Sequence, residues 1–359
     1  MKLNPTNKSS AMTPAKTTKN DSSLETRSFD DFAIFNSSDY RVGIQGLGTL
    51  QPLYDERDDL AYLAIRQTDL KGCKWSAKET DFEEDTVHWD RVHIFRGGDR
   101  ETMHCFTAPR LQIIHASEIL VIDNSITNRN GKTMNITVGD LSMDPINEAF
   151  YAEQALAKKE KRQSKYSTRR KYLVNILTKD NELAHEVPIV LTLSSSASRS
   201  LSESLTKFYN EMDQCMSMAQ DLGAAAKFTK ETHAIYVFSP RFEIKRDENE
   251  LTKQTYCYTG VNSVLTPKYS DMESAQQEMF KLSLHKKDWE SAWTLQKDSF
   301  FGDYINKHSE QEAAKLAGAY GIADGVPALK PAGNKQGTVE VLPALGSRDE
   351  TGALAGGLT

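Results

Sequence analysis

Short runs of β-forming residues dominate the chain from Phe29 onward. Tyr40–Ile44, Ala61–Gln67, Val87–Phe95 and Thr102–Ala108 each gather branched or aromatic side chains. Gly-, Pro- or Asp-rich text (GLGTLQP, YDERDD, RGGDR) separates them. Branched and aromatic side chains suit a pleated strand and such separators suit turns, so the pattern predicts antiparallel strands. Leu111–Asp123 adds a longer run, and the NRNG text at 128–131 reads as a turn. Residues 147–165 change character, because nearly every position is a helix former. Tyr172–Leu177 and Glu186–Leu193 then form a predicted hairpin about a turn at Lys179–Glu182. Pro188 belongs at the first residue of the second strand or at an edge, since it has no amide to donate.

Beyond the hairpin, Leu201, Leu205, Phe208, Met212, Met216 and Ala219 recur every three or four residues. That spacing predicts one apolar face of a helix ending near Gly223. His233–Ser239 and Thr255–Val261 read as a strand pair around the polar loop KRDENELTK. Residues 271–320 read as helical, with Met272, Met279, Leu282, Trp289 and Trp293 at packing positions.

This organises the chain into a disordered segment 1–28, a β-rich unit 29–145 and a basic helical linker 146–171. A hairpin–helix–strand unit, 172–265, completes the β domain. A helical segment 266–320 and a flexible tail 321–359 follow. The two ends are poor in large apolar side chains and cannot offset the entropy of ordering. The predicted fold class is α+β: an antiparallel β-barrel or sandwich, of oligonucleotide-binding (OB-like) type, with inserted and C-terminal helices.

Composition narrows the function classes. The 359 residues are 38% hydrophobic and 26% charged, as in globular proteins. No apolar run is long enough to cross a bilayer, and the polar start MKLNPTNKSS has no signal-peptide core. The expectation is a cytoplasmic protein without a membrane partner. The four cysteines, Cys73, Cys105, Cys215 and Cys257, form no CxxC pair and are expected as free thiols. His88, His93, His104, Cys105 and His115 fall within 28 residues but lack the close pairs of a zinc site, so no metal and no cofactor is expected. The acidic Glu79–Asp85 reads as an exposed loop, and Gly43, Gly46 and Gly48 do not match a dinucleotide fingerprint.

The serine cluster at 194–204 is the most ambiguous text. A hydrolase elbow needs glycines beside its serine, and none lies between Glu182 and Gly223. A phosphate-cradling loop is missing its glycines and lysine for the same reason. Ser200 with Glu203 three residues on fits a helix capping box, either alone or with Arg199 holding a phosphate at the helix start.

Net charge is −6, yet residues 158–171 carry eight basic side chains against one acidic, a local +7. Lys158, Lys159, Lys161, Arg162, Lys165, Arg169, Arg170 and Lys171 are therefore candidate phosphate ligands, with a solvated linker as the alternative. Among the strand aromatics (Trp75, Trp89, Phe95, Phe106, Tyr236, Phe238, Tyr256, Tyr258), most read as core. Tyr256 and Tyr258 share a strand face and are kept as base-stacking candidates.

The block RRKYLVNILTKDNELAHEVPIVLTLSSSASRSLSESLTKFYNEM, with Phe106–Leu111 (FTAPRL) upstream, resembles a group of uncharacterised proteins of cyanobacteria and their mobile elements. The resemblance spans about residues 30–265 and brings no active site with it. A looser similarity is to single-stranded-DNA-binding and replication accessory proteins of phages and plasmids, which implies a small β-barrel with inserted helices. The C-terminus departs from one such pattern, having no acidic tip ending in an aromatic. The function expected is non-enzymatic binding of single-stranded nucleic acid. The alternative is a phage- or plasmid-derived structural protein that assembles with copies of itself. No catalytic residues are assigned.

Overall fold

The computed structural model of the chain describes residues 47–95, 100–126, 135–223, 226–249 and 253–307. The segments read as 1–28 and 321–359, the run Tyr40–Ile44 and the turn at 128–131 lie outside these residues. In chain order the elements begin β1 (Thr49–Asp55), β2 (Leu60–Arg66), α1 (Gln67–Gly72), β3 (Val87–Ile94) and β4 (Arg100–Phe106). Next come β5 (Arg110–Ala116), β6 (Leu120–Asp123), β7 (Ile136–Asp140), α2 (Asp144–Glu160), β8 (Tyr166–Leu177), β9 (Ile189–Ser194) and α3 (Ser195–Ala219). The order closes with α4 (Lys230–His233), β10 (Val237–Phe238), β11 (Pro240–Glu248), β12 (Thr255–Val264), α5 (Met272–Lys281), α6 (Trp289–Lys297) and helical residues 300–307. None of the described helices is long and apolar enough to cross a membrane.

The α+β class holds, but the large sheet is open. Its order is β10-β5-β8-β9-β1-β2-β4-β3, with β6 beside the first half of β8 and β7 outside β6. Every described pairing in it is antiparallel except β1 with β9, which touch at Thr49–Leu50 only. The expected barrel does not form. A ring needs its end strands to meet along their length, and β10 is a two-residue strand occupied with β5.

Local corrections have local causes. GLGTLQP, read as a separator, holds the first four residues of strand β1. Pro52 is tolerated there because its missing amide falls beyond the short contact with β9. The long run 111–123 is two strands, β5 and β6. At the break, the Ser117 hydroxyl accepts the Lys171 amide at 3.0 Å and the Ser117 amide reaches Lys171 O at 2.8 Å, so no ladder group is stranded. His233–Ser239 is not the partner of β12: His233 is helical, Val237–Phe238 pairs with β5, and β12 pairs with Pro240–Glu248 instead. Half of the presumed loop KRDENELTK is thus strand. Its polar side chains suit the far end of the ribbon, where Arg246, Asp247 and Glu248 are exposed.

The Ser200–Glu203 capping box is also corrected. Helix α3 starts at Ser195, and its N-cap Ser194 makes no side-chain cap bond. Ser200 lies more than a turn inside the helix, 8% exposed, and its hydroxyl accepts the Val261 amide at 2.9 Å. That amide sits where the β11–β12 ladder slips register, so a side chain supplies the acceptor near the bulge. Helix α3 otherwise behaves as its spacing predicts. Leu201, Leu205, Phe208 and Met212 are buried against Phe106, Tyr172, Val174 and Leu191 of the sheet. Ile114, Leu120, Leu173 and Val190 lie on the opposite face under Phe301, Tyr304 and Ile305.

The C-terminal helices dock through polar groups that the sequence did not advertise. Asn181, at φ 61, donates to Lys281 O and Ser283 O at 3.0 Å each and accepts from Arg110 Nε at 3.0 Å. Arg110 also reaches Lys281 O at 3.0 Å. The FTAPRL and KDNE motifs therefore join to hold the end of α5. Of the packing positions predicted there, Met279 and Leu282 are buried, Trp289 and Trp293 are half-buried, and Met272 is 48% exposed. Met272 opens the helix just after its N-cap, on the side away from the core.

Candidate nucleic-acid interface

The serine cluster is a set of ties between one helix and its neighbours. Ser195 Oγ bonds Thr168 Oγ1 at 3.0 Å on β8, and Ser196 Oγ lies 3.1 Å from the Tyr256 hydroxyl on β12. Ser200 holds Val261, and Ser202 meets the Tyr172 hydroxyl at 2.8 Å. Small hydroxylated residues at this end let the sheet, the helix and the β11–β12 ribbon approach closely, and the hydroxyls of Ser195, Ser196, Ser200 and Ser202 each find a partner across the contact.

This approach brings together three of the residues picked from sequence. Arg199 of α3 and Tyr258 of β12 line a recess of about 90 Å³ with Ser196, Glu203, Lys245 and Asp247. Tyr256 stands next to Tyr258, with ring centroids 6.1 Å apart. Its hydroxyl donates to Asp247 Oδ2 at 3.2 Å, and the ring is 38% exposed. Burial, then the nearby Asp247 carboxylate, raises the Tyr258 hydroxyl above its ordinary pKa, so it stays a neutral phenol at physiological pH.

Lys245, Asp247 and Ser196 were missed. Lys245 lies opposite Tyr258 in the ladder and Asp247 opposite Tyr256. The alternation of Glu243, Lys245 and Asp247 was the available signal, obscured by reading the stretch as a loop. Gly260 has a part in this placement. A Cβ there would stand 2.5 Å from Lys245 Cδ, so only glycine lets the lysine stem cross the ribbon face.

The basic segment is not one track. Lys158 and Lys159 end α2, where cations suit the helix dipole, and Lys161 follows in the left-handed C-cap; all three are exposed. Arg162 is taken up by Glu153 and Glu160, at 2.6 Å each. That guanidinium, with the Lys165 amide, holds the Glu153 carboxyl down at about 2. Lys165 is exposed, with its ammonium 4.8 Å from the centre of the Tyr166 ring. Arg169, Arg170 and Lys171 belong to strand β8 and not to a helical linker, so neighbours point to opposite faces. Arg170 donates to Ser117 O at 2.9 Å and leans toward Ser202, on the α3 side. Lys171 stands over the Tyr304 ring at 6.0 Å on the other side. Sequence clustering had joined residues that the pleat separates.

The histidines and cysteines pack. Tyr62 OH meets His93 Nδ1 at 2.8 Å, His104 lies against Trp89, and His115 reaches Leu295 O at 3.1 Å. Cys73, Cys105 and Cys215 are buried, and all four cysteines are free thiols. Among the described residues no group of three His, Cys, Asp or Glu side chains converges as metal ligands do.

A family model described as a domain of unknown function, DUF5895, matches residues 46–274. The chain belongs to this family. The matched span runs from just before β1 into α5 and contains every residue of the recess. No curated protein matches the chain, and no solved structure does.

Proposed function

We propose that the α3–ribbon face binds single-stranded nucleic acid without catalysing a reaction. The observation that carries the reading is the meeting of Arg199, Lys245 and the Tyr256–Tyr258 pair, contributed by a helix and both strands of a ribbon. Arg199 is exposed and Lys245 half-buried; cations beside neighbouring aromatic faces are the two ingredients of sequence-tolerant strand binding: phosphates meet the cations and bases stack on the rings. Lys165, just before β8, with Tyr166 at its first position repeats the combination. Asp247 anchors the Tyr256 hydroxyl, leaving the ring face for contact. OB-like closure is not required for this arrangement; an exposed ribbon and a helix start supply it.

The test is a fluorescence-anisotropy titration with a labelled oligonucleotide at about 50 and about 200 mM salt. Tyr258→Ala should weaken binding by roughly 5- to 100-fold, the equivalent of about 1–3 kcal/mol for one lost stack. Arg199→Ala should flatten the salt dependence by about one unit of slope. Absence of binding at the lower salt ends the proposal.

A second reading, self-assembly, draws on β3. It is the last strand of the sheet, with Val92 and Ile94 at 52% and 39% exposure on alternate positions. Among the described strands none pairs with its outer edge. Unpaired edges are templates for a second chain. Light scattering across concentration, with and without oligonucleotide, separates the two readings.

A further inference from the structure

Next to the stacking tyrosines lies a second recess, about 320 Å³ in volume and so at the lower end of small-molecule pockets. Its lining differs in kind from the Arg199 recess. Three primary amides (Gln163, Asn249, Gln254), the Thr255 hydroxyl, Cys257 and the Glu56 carboxylate surround one side of Tyr256, and among the described residues no lysine or arginine contributes. A phosphate would find no cation there and would face a carboxylate. A flat heterocycle with donors and acceptors on its edge would find both, beside an aromatic ring.

The lining is also held in place. Arg162, already paired with Glu153, donates to Gln163 O at 3.1 Å and fixes that turn. The Asn249 backbone N–H reaches the Gln254 backbone carbonyl at 2.9 Å and the Lys253 backbone N–H reaches the Asn249 backbone carbonyl at 2.8 Å, closing the ribbon end. The Tyr256 hydroxyl is tied to Ser196 and Asp247. A backbone frame and a tyrosine ring set before a ligand arrives lose less freedom on binding.

We propose that this recess is a nucleobase pocket, one base being read by the amides and by Glu56 while its neighbours stack on the tyrosines. The inference rests on the nucleic-acid reading above and adds base preference to it. Amides pair bidentately with base edges, and a carboxylate accepts from an exocyclic amino group. Bases that carry such an amino group, adenine, cytosine and guanine, are therefore favoured over thymine, which carries none.

The experiment compares labelled oligo-dA, oligo-dC and oligo-dT by anisotropy with the full chain. Oligo-dA or oligo-dC should bind roughly 5- to 100-fold more tightly than oligo-dT, the range of one good base contact. The ratio should persist as salt rises, because the pocket releases no counterions, while overall affinity falls. Glu56→Ala and a Gln163→Ala/Gln254→Ala double variant, all at exposed side chains, should bring the three oligomers together without weakening oligo-dT more than about twofold. Equal binding of all three by the unaltered protein overturns the pocket and leaves the strand-binding reading standing. Failure to bind any of them overturns both. Retention of the preference in both variants overturns the assignment of these residues.

Discussion

Replacing Asn181 should loosen the C-terminal helices from the sheet, and the structure gives the size of the effect. Asn181 is 6% exposed and satisfies both its donor and acceptor groups: Lys281 O and Ser283 O take its amide protons, and the Arg110 guanidinium donates to its oxygen. Each neutral bond contributes about 1 kcal/mol and the charged one about 2 kcal/mol, and the loss grows if the partners stay dry. The residue also sits at φ 61, where an alanine costs about 1 kcal/mol or more and glycine nothing. Asn181→Ala should therefore lose about 4–5 kcal/mol, and Asn181→Gly about 1 kcal/mol less. Asn181→Asp should fall short of wild type too, because a carboxylate keeps Arg110 but offers no proton to the two carbonyls. Urea denaturation followed by tryptophan fluorescence reads this, since Trp289 and Trp293 are packed beyond the end of α5. A loss below about 1 kcal/mol for the alanine variant would refute the clamp. Identical values for alanine and glycine would refute the backbone part of the reasoning.

Other expectations follow from the same geometry. Ser200→Ala strands the buried Val261 amide and should cost about 1–3 kcal/mol in chemical denaturation; a neutral result would mean the bulge finds another acceptor. His185 is 1% exposed and neutral, accepting the Ile176 amide at 2.9 Å while its Nδ1 faces Val187 O at 2.8 Å, and burial lowers it from 6.5 to about 4. Below pH 6.5 the unfolded chain takes up a proton that the folded chain refuses until about pH 4. Stability should then fall with falling pH in that window, by about 3 kcal/mol in total from this group. His185→Phe should remove that component, and parallel pH profiles for the two proteins would contradict it. Gly260→Ala should displace the Lys245 stem and weaken oligonucleotide binding by roughly the effect of Lys245→Ala, with thermal unfolding little changed; unaltered affinity would show that the lysine position is unimportant.

The sequence by itself determined the elements whose signals are local. The three-to-four spacing of Leu201, Leu205, Phe208 and Met212 set α3, the helix formers at 147–165 announced α2, which ends at Glu160, and the alternation about Lys179–Glu182 set the β8–β9 pair. These patterns are legible because one turn or one pleat repeats them within a few residues. Tertiary structure decided which polar groups acquire partners. Ser200 was read as a cap because a capping box is a local motif, whereas its actual donor, Val261, lies 61 residues on. The residues 158–171 looked like one charged stretch because charge is counted along the chain, but the pleat of β8 sends Arg170 and Lys171 to opposite faces. Conversely, Arg199 and Tyr258 are 59 positions apart in the chain and share one recess. Hydrophobic period fixes an element's own faces; contacts between elements depend on which faces pack, and that is settled only when the whole sheet closes over its core.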